Sequence, residues 1–355
     1  MVGSQMPVAT DVLNLSPGDI AQLGPVWEPG IETGSLTIAM IEGDAADWAA
    51  VPDARDRRDS PLITVGVLSG PDDTIAGTAP LPAALSACDL VLGPGDDRDR
   101  VLQRLRAIGT PALVAAQVLR AGPENSLALE SLAYSTLLGG EPFRRWRAGN
   151  ERRTGRDAGE ARVALTREQT VWRVTLTRPG RHNAFDAQMR EELCDALDVI
   201  AAEPSLPVVL LGDGPSFCSG GDLGEFGTAA GTLQAHLIRC GRSVARRLQR
   251  LGDRLVAGVH GSCVGAGVEL AAFARTLIAD AGTSFELPEL RMGLNLGTGG
   301  SLSIPRRIGR HRTFELLLAD GPLGAPAARE WGLVDAIVAP GQLERACIVA
   351  AEALA

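Results

Sequence analysis

The period of apolar and polar positions changes several times along the chain. Leu36-Thr-Ile-Ala-Met-Ile41 and Leu62-Ile-Thr-Val-Gly-Val-Leu68 are short apolar runs separated by the charged segment 53–59, and they predict buried strands. The run from Ala83 to Cys88 predicts a helix feeding a third strand at Leu90-Val-Leu92. From Asp97 the period becomes helical, with Val101, Leu102, Leu105 and Ile108 on one face, a turn at Gly109-Thr-Pro111 and a second helix to about Leu119. A third helix follows the start signal Pro123-Glu-Asn-Ser126 and breaks at Gly139-Gly140. Its Leu127, Leu129, Leu132 and Leu137, with Phe143 beyond the break, predict an apolar stripe that covers another surface. Residues 1–34 have no clear period and predict an irregular arm.

The second half opens on the alternating strand Val171-Trp-Arg-Val-Thr-Leu-Thr177 and the turn Arg178-Pro-Gly-Arg-His-Asn183. An amphipathic helix from Asp186 to about Ala202 leads to the buried strand Pro207-Val-Val-Leu-Leu-Gly212, and a long helix is predicted over roughly Leu233 to Leu251. Alternation of this kind implies a mostly parallel sheet with helical crossovers. The basic, polar run from Arg144 to Ala158 predicts a solvated linker, centred on 148–160.

Two turns rich in small residues carry the candidate chemistry. Ser216-Phe-Cys-Ser-Gly-Gly-Asp222 follows one strand, and Gly265-Ala266-Gly267 follows the strand beginning near Val256. Small residues let the backbone approach a ligand and aim N–H groups at it. Glu269 stands about one turn into the helix after the second of these turns, and Glu289 ends the segment Phe285-Glu-Leu-Pro-Glu289. An N–H that can receive developing negative charge, beside a carboxylate, suits enolate chemistry on a carbonyl compound. His182, His236, His260 and His311 are expected to be structural, and Tyr134, the one tyrosine, to serve a helix contact.

Composition narrows the classes. At 355 residues two domains are expected, and the net charge of −9 argues against nucleic acid as a partner. No apolar run approaches the ~20 residues that span a bilayer, and the N-terminus has no signal-peptide pattern, so no membrane is expected and a cytoplasmic location is. The six cysteines show neither Cys-x-x-Cys pairing nor zinc-site spacing, which predicts reduced core thiols and no metal. All 34 basic residues are arginine. A Schiff base on lysine is therefore excluded, and an anionic ligand must be held by guanidinium forks or backbone N–H groups.

Taken in order, these motifs resemble the enoyl-CoA hydratase/isomerase (crotonase) superfamily over about residues 168–340. Arg178-Pro-x-x-x-Asn183-Ala184-Phe185 resembles the turn that contacts CoA, and Ser216 to Leu223 and His260 to Leu270 are similar to the two oxyanion segments. Phe285-x-x-Pro288-Glu289-x-x-x-Gly293, Gly299-Gly300 and Trp331-Gly-Leu-Val-Asp335 complete the series. The resemblance implies an α/β fold with a crotonase-like ββα spiral core and a helical trimerisation region. It implies catalysis by Glu269 and Glu289, an oxyanion hole at the N–H groups of Gly221 and Ala266, and substrate contacts from Asn183, Ala184, Ser219, Gly220, Asp222, Gly265 and Gly293. No cofactor is implied beyond the CoA of an acyl-CoA thioester substrate, and a homotrimer or hexamer is. Carrying both glutamates favours syn hydration of a 2-enoyl-CoA; isomerisation, thioester hydrolysis and a non-catalytic scaffold remain the other readings.

The chain departs from the family pattern in three places. Ala266 stands where glycine is common, Leu296 replaces a usual proline, and the chain stops at Ala355, before the family's C-terminal helices. Residues 101–146 resemble that missing tail, and 85–92 resemble a family strand. Residues 35–147 therefore read as a smaller, degenerate crotonase-like α/β unit whose helices serve the complete unit at 161–355.

Overall fold

The computed structural model describes residues 10–21, 36–51, 60–69, 82–123, 126–150 and 160–354. By its contacts the chain divides into two units, Met1–Gly122 with Arg310–Leu318, and Pro123–Gly309 with Ala319–Ala355.

The first unit holds a parallel four-stranded sheet in the order β1 (Thr10–Leu15), β2 (Leu36–Gly43), β3 (Leu62–Leu68) and β4 (Leu90–Leu92). β2 and β3 are buried almost throughout, as strands covered on both faces must be. Where an irregular arm was expected, β1 pairs Val12 with Ile38. A strand as apolar as β2 is stabilised by a neighbour on each edge, and β1 supplies the outer one. Between β2 and β3, α1 (Ala45–Ala49) is held by a capping box of Asp44 and Asp47 and buries Trp48, whose Nε1 donates to Val67 O at 3.3 Å. α2 (Ala83–Ala87) adds Ala84 and Leu85 to the same core. α3 (Arg98–Ile108) and α4 (Thr110–Arg120) follow, and the buried Arg120 ties α4 to the sheet through Asp89, with Nε 2.6 Å from Oδ1.

The second unit begins with α5 (Ser126–Leu138) and α6 (Glu141–Ala148). The contact boundary thus falls at Gly122–Pro123, so both helices count with the larger unit. Part of the expected linker, 144–148, is helical in α6, and 151–159 lie outside the described residues. Next come β5 (Val163–Arg167), β6 (Trp172–Leu176), α7 (Ala187–Ala201), β7 (Val208–Gly212), α8 (Thr232–Gly241), α9 (Val244–Leu251), β8 (Leu255–Val259), β9 (Ser262–Val264), α10 (Ala266–Ala271), β10 (Thr276–Asp280) and β11 (Ser284–Glu286). The chain ends with α11 (Gly300–Leu318), β12 (Leu323–Gly324), α12 (Ala325–Glu330), β13 (Ala336–Val338) and α13 (Leu343–Glu352). α11 is interrupted at Gly309, whose φ is 76°, and its second half counts with the first unit.

Two sheets organise this unit. One runs β13-β10-β8-β7-β6-β5, parallel except for β5 against β6, and the other runs β12-β11-β9. The fully buried β8 sits mid-sheet, pairing Val256 with Val209 and Thr276, and α13 covers it through Cys347 and Ala351. The single helix expected over 233–251 is two. Ser243 stops the first by capping the second, its hydroxyl accepting from Arg246 N. Among the described residues no helix is long and apolar enough to cross a membrane, and no cluster of three His, Cys, Asp or Glu could hold a metal ion.

Candidate active site

A cavity of about 490 Å³ opens within the second unit, between α5, α8, the turn after Ser219, the start of α10 and the segment before α11. Strand β9 ends at Val264, and Gly265 then takes φ 48°, which turns the chain into α10. A side chain at Gly265 would be strained, and its Cβ would lie 2.6 Å from Glu289 Oε1. Ala266 follows as the first residue of α10. Across the cavity Gly221 forms an isolated bridge with Phe185, in which Asp222 N donates to Phe185 O and Phe185 N to Gly220 O. The N–H groups of Gly221 and Ala266 donate to no protein acceptor among the described residues, and both residues line the cavity.

Glu269 projects from α10 and is buried. Its Oε2 accepts from the N–H groups of Gly297, Thr298 and Gly300 at 3.1, 2.7 and 2.8 Å. Burial pushes its pKa well above the usual range, the charges of Glu130 and Glu289 push further, and the N–H donors of Thr298 and Gly300 oppose the rise. Glu289 opens a short 3₁₀ turn, Glu289–Met292, after Pro288. It is buried too, and its Oε2 has no hydrogen-bond partner. Burial pushes its pKa up to about 8, so below that pH the carboxyl holds a proton.

A third carboxylate joins them. Glu130 comes from α5, 169 residues from Gly299 in sequence, and accepts from Gly299 N at 2.7 Å, Ser301 N at 2.9 Å and Ser301 Oγ at 2.5 Å. Five successive N–H groups, from Gly297 to Ser301, are thus divided between Glu269 and Glu130. Burial raises the pKa of Glu130 against those donors. Sequence reasoning placed a Leu stripe on this helix. Instead α5 turns inward the buried Ser126, Glu130, Ser131 and Ser135, with Ala133 and Leu137, while Leu132 is 51% exposed. The physical reason is that this face meets unpaired backbone N–H groups and a cavity, which an aliphatic face could not satisfy. The one available signal was a lone carboxylate inside a Leu-rich run. Beside it Tyr134 lines the cavity, stacked under Arg239 at 4.1 Å from ring centroid to guanidinium carbon.

The other expected site residues divide into two groups. Ser219, Gly220, Asp222 and Gly265 line the cavity with the two glutamates. Asp222 also braces its turn, 2.7 Å from Arg178 Nη1. Asn183, Ala184 and Gly293 are not in the lining. Asn183 is fully buried, its Oδ1 accepting from Arg178 N and its Nδ2 donating to Asp213 O and Ser216 O. Ala184 O accepts from Arg178 Nη1 at 3.0 Å. Gly293, at φ 73°, makes room for α6, because a Cβ there would lie 2.4 Å from Phe143 N. α6 then stacks Phe143 on Trp146, and Trp146 meets, at a tilt of 60°, the Phe226 ring that covers Gly221. Each histidine has a protein partner: His182 with Ser216, His236 with Ser131, His260 with Gly214 and His311 with Cys88.

Comparison with known proteins shows the family of the chain. A family model described as Enoyl-CoA hydratase/isomerase matches residues 166–355. The chain belongs to the enoyl-CoA hydratase/isomerase family. Relatives include a 2,3-dehydroadipyl-CoA hydratase and a 1,2-epoxyphenylacetyl-CoA isomerase of Escherichia coli (strain K12). Each is 32% identical over an alignment covering 48% of this chain and 67% of the relative. Among solved structures, an enoyl-CoA hydratase from Mycobacterium smegmatis has a TM-score of 0.50 at 30% identity, covering 55% of this chain and 77% of that one. A Geobacillus kaustophilus enoyl-CoA hydratase subunit has the same score at 27% identity, covering 54% and 75%. The α/β core therefore has the crotonase fold. The family match contains Glu269, Glu289, Gly221 and Ala266 but not α5, so Glu130, Tyr134 and the whole α5 wall of the cavity lie outside it. Within the match, Leu296 at the usual proline position is fully buried.

Proposed function

We propose that this cavity hydrates a 2-enoyl-CoA to a 3-hydroxyacyl-CoA. The observation that carries the reading is the placement of two buried carboxylates, Glu269 and Glu289, on one cavity with the undonated N–H groups of Gly221 and Ala266. The thioester oxygen would accept from those two N–H groups, an oxyanion hole. Losing one such donor typically costs ~2.7–4 kcal/mol of transition-state stabilisation. Burial raises the pKa of both glutamates. The three donors on Oε2 single out Glu269 as the one that carries the charge when the pair holds a single proton, and in that state it takes a proton from water as the water oxygen bonds to the β-carbon. The C=C electrons move to the α-carbon through the enolate. Glu289, whose Oε2 meets no donor, holds a proton at neutral pH and delivers it to the α-carbon. Water adds across the double bond, a proton returned from Glu269 to Glu289 through solvent restores both carboxyls, and the thioester bond to CoA stays intact.

Ser219, Gly220, Asp222 and Gly265 are the substrate contacts in this reading, while Asn183, Ala184 and Gly293 shape the turns behind them. We further assign residues 35–147 to a degenerate crotonase-like ancestry, and the assembly to a homotrimer or hexamer; light scattering giving a one- or two-chain mass would remove the latter. The test of function is mass spectrometry of enoyl-CoAs of several lengths incubated with the protein. A gain of one water is expected. An unchanged mass with a moved double bond would mean isomerisation, release of free CoA would mean hydrolysis, and no change in any thioester would favour a scaffold.

A further inference from the structure

Arg239 lies in the α8 wall of the cavity beside the reacting end. Its guanidinium rests on the Tyr134 ring, and Nη2 donates to Ser135 Oγ at 2.7 Å. Its Nε is buried with no hydrogen-bond partner. Of the other arginines in the cavity lining, Arg190 and Arg242 are matched to carboxylates, Glu191 and Asp195, while Arg246 is exposed to solvent. Among the described residues Arg239 has no such ion pair. Glu130, the carboxylate beyond Tyr134, has both oxygens occupied by Gly299 and Ser301.

A guanidinium without a counter-ion costs free energy where it is partly removed from water. An alkyl tail would leave that cost in place. A carboxylate would offset it by supplying the missing opposite charge to the part of the guanidinium that lines the cavity. The position selects the acyl end of the substrate over the CoA phosphates. Tyr134, on which the guanidinium lies, is close enough to Glu269 and Glu289 that both charges act on its hydroxyl, whereas the phosphates stand at the far end of the pantetheine arm.

We propose that Arg239 binds a carboxylate at the distal end of the acyl group, so that the substrate is a dicarboxylic acid mono-thioester of CoA. As a choice of substrate this rests on the hydratase reading; as a statement about binding it does not. The test is therefore calorimetric titration with saturated thioesters, which cannot be hydrated. A series of ω-carboxyacyl-CoAs from succinyl to suberyl is compared with alkylacyl-CoAs of the same carbon number. At least one ω-carboxy member should bind about 10- to 100-fold tighter than its alkyl partner, the range for a hydrogen bond to a charged group. Arg239→Gln should erase most of that advantage and leave alkylacyl-CoA affinity nearly unchanged, and Arg239→Lys should recover part of it. Equal affinity across every matched pair in the wild-type protein would overturn the proposal without any variant. So would an Arg239→Gln loss that falls alike on both series, which would hand the guanidinium to the CoA moiety. If the carboxylate preference holds while no enoyl thioester gains water, the hydratase reading fails and this one stands.

Discussion

At the scale of single residues, the two catalytic candidates differ in what their oxygens touch. Glu269 collects three backbone donors on Oε2, while Glu289 Oε2 has none. Two buried carboxylates in one cavity repel, and the proton goes to the one whose charge is less supported. Glu269→Gln and Glu289→Gln should each lower turnover ~10²–10⁴-fold with the fold intact, since the amide is nearly isosteric; near-wild-type rates in both would remove them from catalysis. The raised pKa of Glu289 has a definite sign. The group is protonated below about 8, so the acid role proposed for it is present at neutral pH and should be lost as the pH rises through about 8. The same shift contributes stability that is fully present below the ordinary value of 4.5 and is lost as the pH rises from there through about 8. Thermal unfolding against pH should therefore show a decline over that window that Glu289→Gln lacks. Ala266→Pro removes one N–H from the cavity and should lower turnover by orders of magnitude, whereas Ala266→Gly should be tolerated. A folded, fully active proline variant would show that the Ala266 N–H carries no charge.

At the scale of elements, α5 does more than cover a surface. Its Glu130 and the α10 residue Glu269 share the backbone from Gly297 to Ser301, so the position of one is tied to the other. Glu130 is a positioning residue in this reading. Removing its carboxylate with Glu130→Ala leaves the donors of Gly299 and Ser301 unmet and should lower the melting temperature. Because the Glu130 charge also raises the Glu269 pKa, the same variant should move the acidic limb of the pH–rate profile to lower pH, and Glu130→Gln, whose single amide oxygen can accept on one side only, should restore part of the stability without restoring the limb. A lower melting temperature with an unmoved limb would reduce Glu130 to a purely structural brace. α6 shows a related dependence on one residue, since its entry at Phe143 passes where any side chain on Gly293 would stand.

At the scale of the whole molecule, the helices that complete the cavity precede the family-matched core in the chain. A chain beginning at Ala161 lacks α5 and α6, and with them Glu130, Tyr134 and the Phe143 and Trp146 rings. It should be insoluble or inactive, and a separate peptide of residues 123–150 should restore part of the activity. A soluble and active fragment from Ala161 would show that the preceding residues are an independent appendage. The peptide is drawn from 123 onward because α3 and α4, which also looked like cover, count with the first unit.

What the sequence determined by itself was local: strands from apolar runs, helix starts from Asp97 and Asp186, and two small-residue turns each beside a carboxylate or a free N–H. Those features depend on neighbours within a few residues, so they are legible in order along the chain. The strand β1 and the break at Arg242–Ser243 were less so, because pairing with β2 and a competing cap outweighed weak periodicity. Tertiary structure alone decided that a glutamate in a Leu-rich helix faces inward, that Gly293 accommodates α6, and that Arg239 meets Tyr134. Each of these is a contact between segments distant in sequence, met by a specific partner for a polar group or, at Gly293, by the absence of a side chain, which no local pattern encodes.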